Sequence, residues 1–190
     1  MSAKEFFIKN LVFRHEEFSK HMRETNQSSD NDINKLLQYH SKVGNIINIR
    51  RNVYASIINN PSATPWIDPY LVAAKSAKDA ILSYHSACEL HGFAYTTFEE
   101  MTYFSHSDRK NFIFQNLEFK CFRPPIKILK QNKYYYLVDD ITRDNVTIKV
   151  TSIERTIVDI LDKPNLSGGW EEVWRSLELV PAFDPVKVVD

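Results

Sequence analysis

The chain has 190 residues, 43% hydrophobic and 13% aromatic, enough for one large domain or two small ones and too apolar for a disordered protein. Its 24 basic side chains are matched by 24 acidic ones, which excludes a protein that coats nucleic acid through bulk charge. The balance hides an asymmetry: residues 1–60 carry nine basic against six acidic side chains, leaving 15 against 18 for the remainder.

Ser2 and Glu5 have the spacing of a capping box, and Ala3, Phe6, Phe7 and Leu11 repeat at helical period, so a short helix opens the chain. A second helix is predicted over Glu16–Glu24, with Phe18 and Met22 inward, followed by a polar turn at Thr25–Ser28. Ser29 then reads as the N-cap of a third helix reaching Val43, with Ile33, Leu36, Leu37 and His40 on one face. The opposite face carries Asn31, Lys35, Gln38 and Lys42, flanked by Asn34. These side chains suit base edges and phosphates. Gly44 stops the helix, and Ile46–Ile49 and Val53–Ile57 read as strands joined by a turn tipped with Arg50, Arg51 and Asn52. Three helices followed by a basic hairpin is the order of a winged helix-turn-helix, in which a slim helix enters the major groove and a cationic loop meets the backbone. Double-stranded DNA is therefore the expected partner.

Asn59–Pro65 has two prolines and no periodicity, which places a linker at residues 59–66 between a DNA-binding domain (1–58) and a second domain (67–190). Asp68-Pro69 starts a helix towards Ala77. A strand-like run follows at Ala80–Tyr84, then a helix over His85–His91 closed by Gly92. Four further strands are predicted at Met101–Ser105, Leu117–Arg123, Tyr134–Asp139 and Val146–Val150. Thr151 and Glu154 have capping-box spacing before a helix with Ile153, Ile157, Val158 and Leu161 inward. Pro164–Gly169 breaks the chain before a helix over Trp170–Leu179, with Val173, Trp174 and Leu177 inward. One more helix start stands at Asp184-Pro185, six residues from the end, as in a C-terminally shortened domain. The expected fold class is α+β: a winged helix-turn-helix, then a mixed domain with a small sheet and flanking helices.

Two chemical readings compete with simple DNA binding. Glu118-Phe119-Lys120 is an E-x-K on a strand, with Asp108 upstream, the arrangement by which restriction-type nucleases hold Mg²⁺ beside a lysine. Alternation also puts Leu117, Phe119 and Cys121 on the core side, which leaves Glu118 and Lys120 as plain surface residues. His85, Cys88 and Glu89 share a helix face at metal-ligand spacing, but no second ligand pair accompanies them, so no metal is expected. With four glycines and no phosphate-binding loop, no cofactor and no catalysis are expected either. Cys88 and Cys121 have no paired spacing and read as thiols of a reducing compartment. No run of about 18 apolar residues and no signal-peptide pattern is present, so a cytoplasmic protein without a membrane partner is expected.

Four strings, taken in order, resemble the AbiEi family, the antitoxins of type IV toxin-antitoxin (abortive infection) systems. They are Asn48–Ala55 at the hairpin, Asp68–Lys75, Leu82–Gly92 and Thr151–Asp159. The resemblance spans roughly residues 15–185, with a departure at Asn52, where the family is similar to R-R-G-x-Y, and an ending shorter than the family's. It implies a transcriptional autorepressor that binds inverted repeats in its own promoter. Its second domain would counteract a nucleotidyltransferase-like toxin, with or without direct binding. In that domain His85, Ser86, His91, Glu154, Arg155 and Asp159 match the family strings, and capping, packing and an Arg155–Asp159 pair at i, i+4 account for them without a ligand.

Overall fold

In the computed structural model, which describes residues 2–26, 28–59, 65–107 and 110–189, helices and two sheets form a mixed α+β protein. By internal contacts the chain divides into Met1–Ser76 with Thr142–Val146, and Ala77–Ile141 with Thr147–Asp190.

The first unit opens with α1 (Ala3–Lys9), held by the capping box: Ser2 Oγ accepts from Glu5 N at 3.3 Å, and Glu5 Oε2 accepts from Ser2 N at 2.6 Å. β1 (Val12–Arg14), α2 (His15–Asn26), α3 (Asp30–Lys42), β2 (Ile46–Arg50), β3 (Val53–Ser56) and α4 (Pro69–Lys75) follow. β3 lies between β1 and β2 and is antiparallel to both, with Val12 opposite Ala55 and Ile47 opposite Ala55 on the other side. β1 is absent from the sequence reading, because three residues are too few to show alternation and their partners lie far along the chain. The core is aromatic: Phe6, Phe7, Phe13 and Phe18 pack at centroid distances of 5.2 to 6.0 Å, with Met22, Ile33, Leu37 and Ile46 around them. Each buried ring contributes roughly 1.5–3 kcal/mol to the stability of the unit.

Asp68 caps α4 by accepting from Tyr70 N at 2.9 Å, and Pro69 occupies its first turn. The sequence assigns α4 to the second domain; in space it packs with the first unit, where Arg14 Nη1 donates to the Lys75 carbonyl at 2.9 Å and Lys75 pairs with Glu17. Of the expected linker, residues 60–64 lie outside the described residues.

The second unit contains β4 (Ile81–Leu82), α5 (Tyr84–His91), β5 (Glu100–Phe104), β6 (Phe112–Phe114), β7 (Leu117–Phe122), α6 (Ile126–Lys130) and most of β8 (Val138–Arg143) and β9 (Val146–Thr151). It ends with α7 (Ile153–Asp162), a 3-10 turn over Pro164–Ser167, α8 (Trp170–Leu177) and α9 (Pro185–Val189). The sheet order is β6-β7-β5-β4-β9-β8, with β5 parallel to β7 and β4 parallel to β9. Ile81, Tyr84, Cys88, Phe93, Phe104, Ile160 and Val173 form its core.

Several local expectations change here. The strand expected at Tyr134 begins at Val138, because the Tyr134 and Tyr136 carbonyls accept from Arg155 Nη1 at 3.1 and 2.8 Å instead of joining the sheet. The cap of α7 is Ser152, which accepts from Arg155 N at 3.3 Å; Thr151 is buried, its Oγ1 2.7 Å from Thr156 Oγ1. Val158, Leu161 and Trp174, expected inward, are exposed, Trp174 at 59%. The cause on α8 is Glu172. Its carboxylate accepts from Thr96 N and Thr96 Oγ1, both at 2.9 Å, and from Ser176 Oγ at 3.3 Å, which turns Glu172, Val173 and Ser176 inward and the tryptophan outward. Among the described residues no helix is long and apolar enough to cross a membrane.

Candidate nucleic-acid interface

Ser29 starts α3 as expected, its Oγ accepting from Asp32 N at 3.3 Å. Ile33, Leu37 and His40 face the core, which leaves Asn31, Lys35, Gln38 and Lys42 as a solvent-exposed ridge, with Asn34 exposed beside it. Asp30, Asp32, Asn34 and His40 are engaged within the unit. Asp30 pairs with Arg23, and Asp32 Oδ2 accepts from Ser29 Oγ at 2.6 Å, a bond that holds the Asp32 carboxyl below its usual range. Asn34 Oδ1 lies 2.9 Å from His15 Nε2, whose ring is bound on its other side by Ser19. Buried His40 accepts from Asn45 Nδ2 at 2.9 Å and sits edge-on to Phe7; burial, then the charge of Lys4, lowers its pKa. The acids at the start of the helix are thus occupied, while the amides and lysines of the ridge face solvent.

The adjoining hairpin turns at Arg51 and Asn52, both exposed, with Arg50 half-buried before them. Asn52 adopts φ 64, the left-handed conformation that asparagine tolerates better than other residues with a Cβ, so the turn keeps its shape without glycine. The register shifts between Asn48 and Arg50, an irregularity that re-aims the end of β2. Asn52 O accepts from His15 N at 2.9 Å, fixing the hairpin tip against the start of α2.

Between α3 and the hairpin runs a groove of about 450 Å³. Asn34, Gln38, Ser41 and Lys42 line it from the helix over Leu37, and Asn48 and Tyr54 line it from the strands. The Tyr54 ring is held flat on Phe13, centroids 5.6 Å apart and planes 18° apart. Ser41, Asn48 and Tyr54 are missing from the residues singled out in the sequence. Asn48 and Tyr54 stand there only within the string Asn48–Ala55, and that they face α3 depends on strand register.

Of the second-unit candidates, His85, Ser86, Arg155 and Asp159 are buried, and His91 and Glu154 half-buried. His85 is buried, its Nε2 donating to Thr96 O at 3.0 Å and its ring stacked on Phe98 at 3.7 Å. Ser86 Oγ accepts from Thr102 N at 2.8 Å, and His91 Nε2 donates to Thr151 O at 2.7 Å. Glu154 accepts from Asp184 N at 3.1 Å. Arg155 and Asp159 are both buried, Nε and Oδ2 3.6 Å apart; burial pushes the Asp159 carboxyl up to about 6 although Arg155 pulls it down.

Glu89, the third member of the possible metal triplet, accepts from Phe98 N at 3.0 Å, while Cys88 packs in the core, where burial pushes its thiol up. No group of three or more His, Cys, Asp or Glu among the described residues is placed to hold a metal ion. Of the nuclease candidates, Asp108 lies outside the described residues. Lys120 Nζ stands 2.5 Å from Glu100 Oε2 and 3.5 Å from Glu118 Oε2, and the Glu100 bond raises its pKa. Glu100, which the sequence reading missed, reaches the pair because β5 runs parallel to β7 with Glu100 opposite Glu118. Of the alternating apolar residues, Phe119 is fully buried and Leu117 and Cys121 only partly.

No family model and no curated protein sequence matches the chain. Among solved structures it is similar to the RV2827C protein from Mycobacterium tuberculosis, at 14% identity and a TM-score of 0.55, over 97% of this chain and 68% of that one. At that identity the likeness is one of fold.

Proposed function

We propose that residues 1–58 act as a winged helix-turn-helix bound to double-stranded DNA, and that the chain is the antitoxin and autorepressor of a type IV toxin-antitoxin operon. The observation that carries the DNA reading is the exposed ridge of α3, its neighbouring acids paired off, beside a hairpin tipped with Arg51 and Asn52. The element order, helix, strand, two helices and two strands in a three-stranded antiparallel sheet, supports it. In this reading α3 enters the major groove, where Asn31 and Gln38 take adenine edges and Lys35 and Lys42 meet phosphates. Asn34 orients the helix through His15, and Arg50, Arg51 and Asn52 follow the sugar-phosphate backbone.

The antitoxin half of the proposal rests on the resemblance of the four sequence strings to the AbiEi family. It makes the operator an inverted repeat in the chain's own promoter and the functional counterpart a nucleotidyltransferase-like toxin. Glu100, Lys120 and Glu118 are read as an ion cluster that braces two strands, and the protein as a non-enzyme. Selection of duplexes from a random pool by the full chain, followed by titration of wild type and Gln38→Ala, tests the DNA reading. Discrimination between selected and scrambled duplexes should shrink in the variant by about 1–3 kcal/mol, one lost bidentate contact. A pool that yields no preferred sequence, or a variant with full preference, refutes the assignment. For the antitoxin half, growth arrest by a nucleotidyltransferase encoded beside this chain should be relieved by expressing the chain from an external promoter.

A further inference from the structure

The polar side chains around α3 fall into two sets. Asp30, Asp32, Asn34 and His40 are bonded within the unit. Of the groove's lining, Asn34 belongs to this bonded set and the rest do not: the side chains of Gln38, Ser41, Asn48 and Tyr54 have no hydrogen-bond partner, and Lys42 no ion pair, among the described residues. Four neutral donors and one cation therefore converge on one open channel. Tyr54 is also pre-positioned, because its ring lies on Phe13 and a substitution that keeps the ring keeps the packing.

We infer that this groove seats the sugar-phosphate backbone of one DNA strand, and that Ser41, Asn48 and Tyr54 hold it by neutral hydrogen bonds. Phosphate oxygens accept from hydroxyl and amide groups as well as from cations, and a row of such oxygens matches a row of donors that lacks acceptor-only carboxylates. The inference rests on the DNA reading above and adds to it a set of contacts with a distinct signature. A cation that meets a phosphate displaces condensed counter-ions, so its loss flattens the dependence of log K on log salt; a neutral donor displaces none. Ser41, Asn48 and Tyr54, the neutral groove residues, therefore supply affinity that salt does not weaken.

The test is a salt titration of the full chain on two mixed-sequence duplexes of unrelated sequence, comparing wild type with Asn48→Ala combined with Tyr54→Phe, and with Arg50→Ala combined with Arg51→Ala. Circular dichroism checks that each variant is folded. The groove variant should bind both duplexes about tenfold more weakly, the loss of two modest hydrogen bonds, with the wild-type salt slope. The arginine variant should show a flatter slope. Unchanged affinity in the groove variant, or a flatter slope in it, overturns the groove assignment while the DNA reading stands. A wild-type chain that binds neither duplex removes both.

Discussion

The two units use their polar side chains in opposite ways. In the first, the interior is a cluster of four phenylalanine rings with His40 as its one buried polar group from α3, and the amides and cations lie on the surface of α3 and its hairpin. In the second, the polar residues are structural parts. Glu172 and Glu89 hold the Thr96–Phe98 loop through its N–H groups, Asp79 gathers Ser105, His106 and Ser107, and Arg155 ties down the Tyr134 and Tyr136 carbonyls. The contrast teaches that a motif of charged and polar residues is not evidence of a ligand site until burial is known. The residues that carry the family resemblance in the second unit are largely those that hold its loops.

The strongest way to break this comparison is Arg155→Ala. The substitution strips two carbonyls of their donor and leaves Asp159 buried without its ion-pair partner, so unfolding free energy should fall by about 3–5 kcal/mol in a urea titration. Should stability survive while another activity of the chain is lost, Arg155 belongs to a site and the contrast fails.

A smaller effect sharpens it through pH. Asp159 titrates at about 6 in the folded protein against 3.8 for the free side chain, so the folded state keeps a proton that the unfolded state releases. As pH rises from about 4 to 6 this group therefore costs stability, and the loss is complete above the folded pKa. Compared with Asp159→Asn, the wild type should lose roughly 2–3 kcal/mol across that window, read from unfolding curves at successive pH values. His40 has the opposite sign. Its pKa is lowered by burial, so its contribution is present above 6.5 and is lost as pH falls through the folded value. Acidification should thus weaken the first unit through His40 while relieving the second through Asp159. Parallel pH profiles for wild type and Asp159→Asn would contradict the buried-acid description.

The smallest effect concerns the surface. Replacing half-buried Arg50 and exposed Arg51 together by alanine should lower the unfolding free energy by no more than about 1 kcal/mol. On DNA it should flatten the slope of log K against log salt by up to roughly two, about 0.9 for each phosphate released. A large loss of stability in this variant would mean that the hairpin arginines, like the second unit's polar residues, hold the fold.

What the sequence determined by itself was what short-range chemistry decides. Ser2, Ser29 and Asp68 cap helices because their oxygens reach N–H groups two or three residues on, and Asn52 turns the hairpin because its own backbone preference allows a positive φ. The exposed ridge of α3 follows from helical period alone. What only the tertiary structure decided was every choice between two faces that both look acceptable locally. Periodicity puts Trp174 inward, yet three donors from Thr96 and Ser176 satisfy the Glu172 carboxylate, and their bonds turn the helix the other way. The same holds for Glu100, brought to Lys120 by a parallel strand pairing, and for Asn48 and Tyr54, which become walls of one groove only once β2, β3 and α3 are assembled. Such contacts join residues far apart in the chain, and no local pattern records which partner will be there.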